Sequence, residues 1–508
     1  MKRFFLWFFI LLAAFSLFFF SLNLFDSRPE AGLAAPVSPD GDKSPGGGKL
    51  PAAQLETGNG FFLLWGFAEP AEVDPAAPAF RAQVLELFGA PSKNYLFRSR
   101  YSQWLTRLNA SFRQNWHGAN LYFPQLPGED VCAYFADRRV QIEEQRQRYA
   151  VPLQRYRQVL LAADLEDFTP LGWEFPARSF LLAAYTAKLF AATQALAAID
   201  GDWQAACYDL LAAMAAGLKL IKVGRTLTVN SLGKTMVELS LRTLGSLLNR
   251  KDCPDAVVQS ILESLPARMN GEFGTATART FTWMSFAHAL ERVKNDKIVD
   301  PFLLKDYFRE PADFYTLERL VVISGPRFFG SVHALAAFFL KKNESVTALR
   351  AFWERVGHLE EAPPALWGSG PRTVYRLEAD LKFGPFWWLR NPLGKMMVRS
   401  AVPFTWPVLQ HYIYRSHGLK VRYDLTRMLA RARFLAGSEM SLSRAALQEL
   451  LALAPERDPF GGGAFRFNPE SGTLYSLGQD GRDNGGRELP AAWKDSDIAV
   501  RISFVIRD

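Results

Sequence analysis

Most of the chain carries apolar residues three or four positions apart, with charged residues between them. This spacing predicts amphipathic helices that each bury one face. Asp200, Gly201 and Asp202 separate two of these windows and predict a tight hairpin of antiparallel helices. The pattern predicts helices at residues 132–163, 177–199, 203–223, 228–249, 254–265, 281–290, 313–323, 332–342, 345–356, 412–435 and 443–453. We therefore expect a mainly α fold, a helical array of antiparallel helices.

Two features bear on this helical array. Pro152 lies inside the first predicted helix and is expected to kink or split it. The Ala-rich faces around the 200–202 turn faintly resemble a tetratricopeptide unit. No second copy follows at a fixed period, so a solenoid stays an open alternative.

The pattern changes after residue 457, where glycine-rich turns separate short alternating or β-rich segments. Segments 465–467, 473–477 and 499–506 predict a small sheet, so we expect a small C-terminal α+β cap. The predicted division is a transmembrane anchor at 1–25, a disordered linker at 26–55, an all-α helical domain at 56–400 and a pseudopilin-like α+β module at 401–508.

Residues 4–25 form an apolar run without a charge, long enough to cross a bilayer as one helix. Lys2 and Arg3 precede it, and the positive-inside rule keeps such a short basic end in the cytoplasm. The alternative is a cleaved signal peptide, whose apolar core is usually shorter, about 7 to 15 residues. We expect a single-pass signal-anchor in the inner membrane, with a cytoplasmic N-terminus, a flexible linker and a periplasmic body.

Three of four apolar or aromatic segments allow two interpretations. Segment 58–67 is bounded by turn residues and is expected to enter the core. Between 95 and 116, arginines among aromatic residues suit a nucleic-acid groove or, as we favour, a solvated helix face beside the core. Segment 383–397 is expected to be a loop that lines the core or dips into the membrane interface. The apolar segment 320–340 contains charged and proline residues, which favours burial in protein over a second membrane crossing.

Composition supports a folded body and argues against one class of partner. Hydrophobic residues make up 49% and aromatic residues 14% of the chain, which is typical of a globular protein. The formal charge of +8 comes from arginines dispersed among acidic residues, so we expect no nucleic-acid partner. Cys132, Cys207 and Cys253 form no Cys-x-x-Cys pair; one disulfide is allowed, but buried thiols are our expectation.

The sequence contains no complete catalytic motif. Its six histidines form no His-Glu-x-x-His pattern, and no Gly-x-Ser-x-Gly elbow is present. Glu272 is the one candidate general acid, for an envelope hydrolase that acts on glycan or peptide. We favour instead a membrane-anchored scaffold or accessory binding protein of the bacterial cell envelope, with other envelope proteins and the membrane as partners.

The end of the chain carries a series of residue types in a fixed order. The series is Asp458, Pro459, Phe460, Leu474, Tyr475, Ser476, Gly478, Asp480, Gly481, Gly485, Gly486, Asp495, Asp497 and Ile498. It resembles the globular end of the major pseudopilin of type II secretion, whose corresponding loop binds calcium. The chain lacks that family's N-terminal Gly-Phe processing site, so we do not expect a pilin subunit. As a whole it loosely resembles bacterial membrane-anchored helical proteins, which implies a compartment and a fold but no activity.

The chemistry of this loop agrees with the calcium site that the resemblance implies. Calcium binds six to eight oxygen atoms, many of them from carboxylates and backbone carbonyls. Asp480, Asp483, Asp495 and Asp497 lie in a short glycine-rich stretch and are our predicted ligands. The alternative is a glycine-rich turn whose aspartates accept hydrogen bonds from backbone amides.

Overall fold

The computed structural model covers most of the helical body and of the terminal module, the part of the chain from residue 441 onward. The residues it describes are 59–89, 130–169, 176–266, 273–295, 341–366, 391–453, 457–487 and 497–507, with single positions between 104 and 112. The predicted anchor at 4–25, the linker at 26–55 and the helix at 313–323 lie outside these residues. So do segment 320–340 and nearly all of the helix predicted at 332–342. These predictions stay predictions.

The described part of the chain is mainly helical, with a few short strands near the C-terminus, as predicted. Its helices are α1 (Phe61–Trp65), α2 (Pro78–Gly89), α3 (Val131–Asp137), α4 (Arg139–Arg148), α5 (Ala150–Leu161), α6 (Ala177–Ile199), α7 (Trp203–Val223), α8 (Leu227–Leu248), α9 (Asp255–Ser264), α10 (Ala276–Asn295), α11 (Lys342–Glu361), α12 (Pro392–Ala436) and α13 (Arg444–Leu453).

The predicted hairpin and the two helices after it are confirmed. α6 and α7 have the predicted bounds, and α8 and α9 each begin and end within one residue of theirs. Gly201, in the turn between α6 and α7, has a φ of 101°, a conformation that residues with a Cβ atom rarely adopt. The turn residues therefore fix where one helix stops and the next begins.

The continuous helix predicted at 132–163 is wrong, because the chain forms α3, α4 and α5 with breaks at Arg138 and Tyr149. Asp130 caps α3, its carboxylate accepting a hydrogen bond from the Cys132 amide at 2.9 Å. Pro152 lies in the first turn of α5, where its missing N–H costs no helical hydrogen bond. The expected split thus occurs a few residues before the proline.

The last long helix starts about twenty residues earlier than the predicted 412, so the part of the predicted loop from 392 to 397 is helical. Pro392 occupies the first turn of α12, a position that suits proline. Asn391 just before it accepts a hydrogen bond from the Lys341 amide at 2.7 Å and donates one to Ser345 Oγ at 3.0 Å. These bonds join the start of α12 to the start of α11.

α8 is the centre of the body and packs against α3, α6, α7, α10 and α12. Nearly all of its side chains from Val229 onward are buried. Gly217 of α7 and Gly233 of α8 lie where the two helices cross. A Cβ atom on Gly233 would lie 2.5 Å from the Gly217 carbonyl oxygen, and one on Gly217 would lie 2.7 Å from that of Gly233. The crossing therefore requires glycine at both positions.

The prediction that segment 58–67 enters the core is confirmed, because Phe61, Phe62 and Trp65 are buried. Arg155 of α5, itself buried, holds the turn that follows α1. Its guanidinium donates hydrogen bonds of 2.6 to 3.0 Å to the carbonyl oxygens of Phe67, Glu69, Pro70 and Val73. The N-terminal part of the body is thus fixed by backbone contacts as well as by burial.

The described strands form two small sheets. An antiparallel sheet contains β2 (Arg466–Asn468), β3 (Thr473–Ser476) and β4 (Ile498–Arg501) in that order, and β1 (Ser441–Ser443) pairs in parallel with β5 (Val505–Arg507). The single strand predicted at 499–506 is wrong, because β4 and β5 belong to different sheets. Between them the Ile502 amide donates to the Gly472 carbonyl at 2.6 Å and the Ser503 amide to Asn249 Oδ1 at 2.9 Å, which redirects the chain.

α12 connects the helical body to the terminal module. It contacts α8, α9 and α11, and also β3 and β4. The predicted boundary between residues 400 and 401 lies inside this helix, and the domain division stays a prediction. α12 therefore positions the loop between β3 and β4 relative to the body.

Candidate functional site

The terminal module is held together by the buried carboxylate of Asp458. Its Oδ1 accepts hydrogen bonds from the Phe460 amide at 2.9 Å and the Ser476 hydroxyl at 2.6 Å. Its Oδ2 accepts one from the Leu477 amide at 3.0 Å. Two parts of the residue series noted in the sequence, the Asp-Pro-Phe turn and the end of β3, are therefore direct neighbours.

The loop between β3 and β4 carries the predicted calcium ligands. Asp480, Asp483 and Asp497 are described, and Asp495 lies outside the described residues. Asp480 is half-buried, and its carboxylate accepts a hydrogen bond from the Arg482 amide at 3.1 Å. This is the local turn that aspartate commonly forms with the amide two residues on.

Asp483 is engaged by three groups of the module. It accepts hydrogen bonds from the Gly485 amide at 2.9 Å and the Tyr475 hydroxyl at 3.0 Å, and it forms an ion pair with Arg466. The Gly485 amide is the main cause that lowers the pKa of Asp483, and Tyr475 and Arg466 add to it. Asp483 therefore attaches the loop to β2 and β3.

Asp497 is completely buried just before β4. Its Oδ2 accepts hydrogen bonds from the amides of Asn484 at 3.0 Å and Gly486 at 2.8 Å. Its Oδ1 is also buried, and it accepts no hydrogen bond from the described part of the chain. Burial raises the pKa of Asp497, while the Gly486 and Asn484 amides and that of Gly478 favour its ionised form.

Only some of the predicted ligands in this loop are suited to bind a calcium ion. Asp497 Oδ1 accepts no hydrogen bond of normal geometry within the described residues, although the Gly478 amide is close enough to the carboxylate to favour its ionised form; a hard cation would satisfy this oxygen. Asp483 fits poorly because Arg466 already neutralises it. Within the described residues no three His, Cys, Asp or Glu side chains are grouped to hold a metal ion. A complete site would therefore need Asp495 and backbone carbonyl oxygens beside Asp480 and Asp497.

A second polar cluster, which sequence reasoning missed, lies between α8 and α12. Arg415 of α12 donates to Ser231 Oγ at 2.9 Å and approaches Glu238 Oε2 at 3.3 Å. Arg242 lies 3.4 Å from the same carboxylate. Burial raises the pKa of Glu238, but the surrounding guanidinium groups, Arg415 foremost, lower it to about 2. The carboxylate, with 33% of its side chain exposed, therefore stays ionised where α8 and α12 meet.

Lys234, one turn before Glu238, is completely buried. Its Nζ donates hydrogen bonds to the Tyr412 carbonyl at 3.2 Å and to Ser416 Oγ at 2.7 Å. Burial lowers the pKa of Lys234 to about 7. Burial also lowers the pKa of His417 to about 4, and the charge of Lys234 adds to that shift.

The described cysteines are buried and unpaired, as expected. Burial raises the pKa of Cys132 and Cys207 to about 12 and that of Cys253 to about 11. Thiols of this kind are poor nucleophiles, because the reactive form is the thiolate.

The described positions of the arginine-rich segment 95–116 make contacts inside the protein. Trp104 Nε1 donates to Glu69 Oε1 at 2.8 Å, and Arg107 donates to the same oxygen at 3.0 Å. The Trp104 ring stacks on that of Trp65 at 5.7 Å between centroids. These contacts agree with the helix-face interpretation of the segment. The candidate acid of the hydrolase alternative, Glu272, lies outside the described residues.

One helix in the described part of the chain, from Arg178 to Ile199 in α6, is long and apolar enough to cross a membrane. However, 61% of this stretch is buried inside the protein, and α6 packs against α3, α5, α7 and α8. A helix buried in a protein core passes the same test. α6 is thus compatible with membrane association but is only weak evidence for it.

A groove of about 1090 Å³ runs along the surface between α7 and α9. Tyr208 stands at its side with 67% of its surface exposed, and Asp202 is the only charged residue that lines it among those the structure describes. The other lining residues are mostly apolar or small, among them Leu211, Ala212, Ala215 and Leu218 of α7 and Ala256, Val257, Ser260 and Ser264 of α9.

In comparisons with family models, curated proteins and solved structures, nothing matches this chain. Its function is therefore inferred from its own residues and their geometry.

Proposed function

We propose that this chain is an exported helical scaffold or accessory binding protein of the bacterial cell envelope, anchored by residues 4–25, with a terminal module ordered by calcium. The observation that carries the calcium part is the buried Asp497 carboxylate, whose Oδ1 accepts no hydrogen bond of normal geometry from the described residues. The apolar run before the linker supports the anchor, and the mainly helical body supports a scaffold. Calcium sites of modest affinity are common in extracellular modules, which agrees with an exported body.

The proposed division of work within the loop follows from the contacts. Asp480, Asp495 and Asp497 would bind the ion together with carbonyl oxygens of the glycine-rich loop. The ion would supply the positive charge that compensates the buried Asp497 carboxylate. Asp483 would stay paired with Arg466 and hold the loop in place. Because β3 and β4 pack on α12, the ordered loop would also be fixed to the helical body.

Calcium binding is tested by thermal unfolding of the full chain in detergent, with calcium or with a chelator. We expect calcium to raise the melting temperature of the wild type and of Asp483→Asn, and to have no effect on Asp497→Asn. Asp483→Asn is the matched control, because it removes a carboxylate of the same loop. No response in the wild type, or a response lost only in Asp483→Asn, would disprove the proposed site.

The exported location is tested with a single reactive cysteine in the linker. The three native cysteines are buried, so Ser44→Cys is expected to be the main site for a membrane-impermeant maleimide. We expect labelling from the periplasmic side, and we expect an N-terminal tag to persist in the membrane-bound protein. Protection of residue 44, or loss of the tag, would contradict the anchored arrangement.

The binding role is tested by crosslinking in membranes and purification through a tagged full-length chain. We expect envelope proteins to copurify with the wild type. Recovery of the chain alone under several crosslinkers of different length would argue against a scaffold.

A further inference from the structure

We propose that the groove between α7 and α9 is the interface of a symmetric dimer, in which α7 of one copy lies antiparallel on α7 of a second copy. This inference does not depend on the proposed calcium site or on the anchor. It rests on the surface shape of α7, on its small residues and on the charges at its two ends.

The first observation is that α7 is apolar on two faces. Its inner face includes Gly217, which meets Gly233 of α8 at the helix crossing. Its outer face includes Tyr208, Leu211, Ala215 and Leu218, whose spacing of three and four positions places them in one stripe. Tyr208 and Ala215 are exposed, and Leu211 and Leu218 are half-buried. A contiguous apolar stripe on a surface is typical of an interface.

The second observation is that this stripe carries both a protrusion and a depression. Tyr208 is large and 67% exposed. Ala212 and Ala215 follow on the same helix, and α9 adds Ala256 and Ser260, so small side chains line part of the groove beside Tyr208. In an antiparallel pair centred on Ala212, Tyr208 of each copy comes opposite the small residues of the other. A two-fold interface requires this kind of self-complementary surface.

The third observation is the charge at each end of the stripe. Asp202 lies ten positions before Ala212 and Lys222 lies ten positions after it, and both residues are exposed. Lys222 is five helical turns after Gln204 and therefore lies on the same face of α7. Among the described residues neither Asp202 nor Lys222 belongs to an ion pair. Antiparallel pairing places Asp202 of each copy near Lys222 of the other, whereas parallel pairing would place like charges together.

The experiment measures the protein mass of the full chain in detergent by light scattering, over a range of concentrations. We expect a dimer for the wild type and a halved mass for Tyr208→Ala at the same concentration. Leu161→Ala on α5 is the matched control, because Leu161 is 75% exposed and is not among the residues that line the groove. It is expected to leave the dimer unchanged.

A charge exchange separates dimer loss from misfolding. Asp202→Lys and Lys222→Asp are each expected to raise the dissociation constant about tenfold, and the double variant is expected to restore it. Ala212→Cys, at the proposed two-fold axis, is expected to form a disulfide-linked dimer under mild oxidation. A wild type that is monomeric at every concentration, or a double variant as weak as the single ones, would overturn the proposal.

Discussion

At the residue scale, the ammonium group of Lys234 has one carbonyl and one hydroxyl as hydrogen-bond partners and no contact with water. Its pKa is about 7 in the folded protein, against an ordinary value of 10.5. Between these two values the unfolded chain binds a proton that the folded chain releases. The stability contributed by this group therefore rises with pH from about 7 to about 10, and it is lowest below pH 7.

We expect Lys234→Met to remove this pH dependence. Between pH 7 and pH 10 the free energy of unfolding of the wild type should rise by on the order of 4 kcal/mol relative to that of the variant. At pH 7 the variant should be at least as stable as the wild type, because it buries no charge. Denaturant unfolding at several pH values measures both effects.

The control for this experiment is Lys251→Met, which removes an exposed lysine just after α8. It should follow the wild type at every pH. If Lys234→Met also follows the wild type, the burial of Lys234 does not perturb its ionisation.

The loop aspartates show how far residue types alone can be interpreted. The sequence identifies Asp480, Asp483 and Asp497 as oxygen donors in a turn, and the structure places all three in one loop. The sequence does not distinguish the roles of the three aspartates, because Asp483 is neutralised by Arg466, which lies seventeen positions away on β2. Lys234 carries no local signal of burial either, because a lysine on a helix normally faces water.

At the element scale, the helices were predictable where local residues determine their ends. The Asp-Gly-Asp turn separates α6 from α7, and Gly201 has the positive φ that such a turn uses. The start of α12 was not recognised, because Pro392 and the aromatic residues before it are also typical of loops. The contact that favours a helix start there comes from Lys341, fifty positions away.

The close crossing of α7 and α8 predicts that alanine has different effects on stability at two glycines of α8. Gly233→Ala should destabilise the protein by about 2–3 kcal/mol, because its Cβ atom would clash with the Gly217 carbonyl oxygen. Gly245→Ala should be neutral or stabilise by up to about 1 kcal/mol, because alanine favours helix and the nearest atom is 3.9 Å from its Cβ.

Thermal and denaturant unfolding of the two variants gives the comparison directly. Both changes add one methyl group to a buried glycine of α8, so helix propensity is the same in each. Equal stability of the two variants would show that α7 and α8 separate easily, and the close packing at Gly233 would then contribute little.

At the scale of the whole molecule, the terminal module and the helical body are joined by contacts between distant parts of the chain. Asn249, at the end of α8, donates to the Arg501 carbonyl at 2.7 Å and accepts from the Ser503 amide at 2.9 Å. Arg422 of α12 also donates to the Ala499 carbonyl at 3.3 Å. The sequence predicted a small sheet but not these attachments, because residues about 250 positions apart share no local pattern.

We expect Asn249→Ala to loosen β4 and β5 from the body without unfolding the helices. The substitution removes both hydrogen bonds and leaves the Ser503 amide without that acceptor, at a cost of about 1–3 kcal/mol. Hydrogen exchange followed by mass spectrometry should show faster exchange over residues 498–507 and unchanged exchange over α6 and α7. Asn468→Ala is the matched control, because the Asn468 side chain bonds only within the described terminal module, to the Gly485 carbonyl and to the amides of Glu470 and Ser471. It should speed exchange near residues 470 and 485 and leave β5 protected.

If Asn249→Ala leaves β5 equally protected, the module is held to the body chiefly by the packing of α12 against β3 and β4, and Asn249 only reports their proximity.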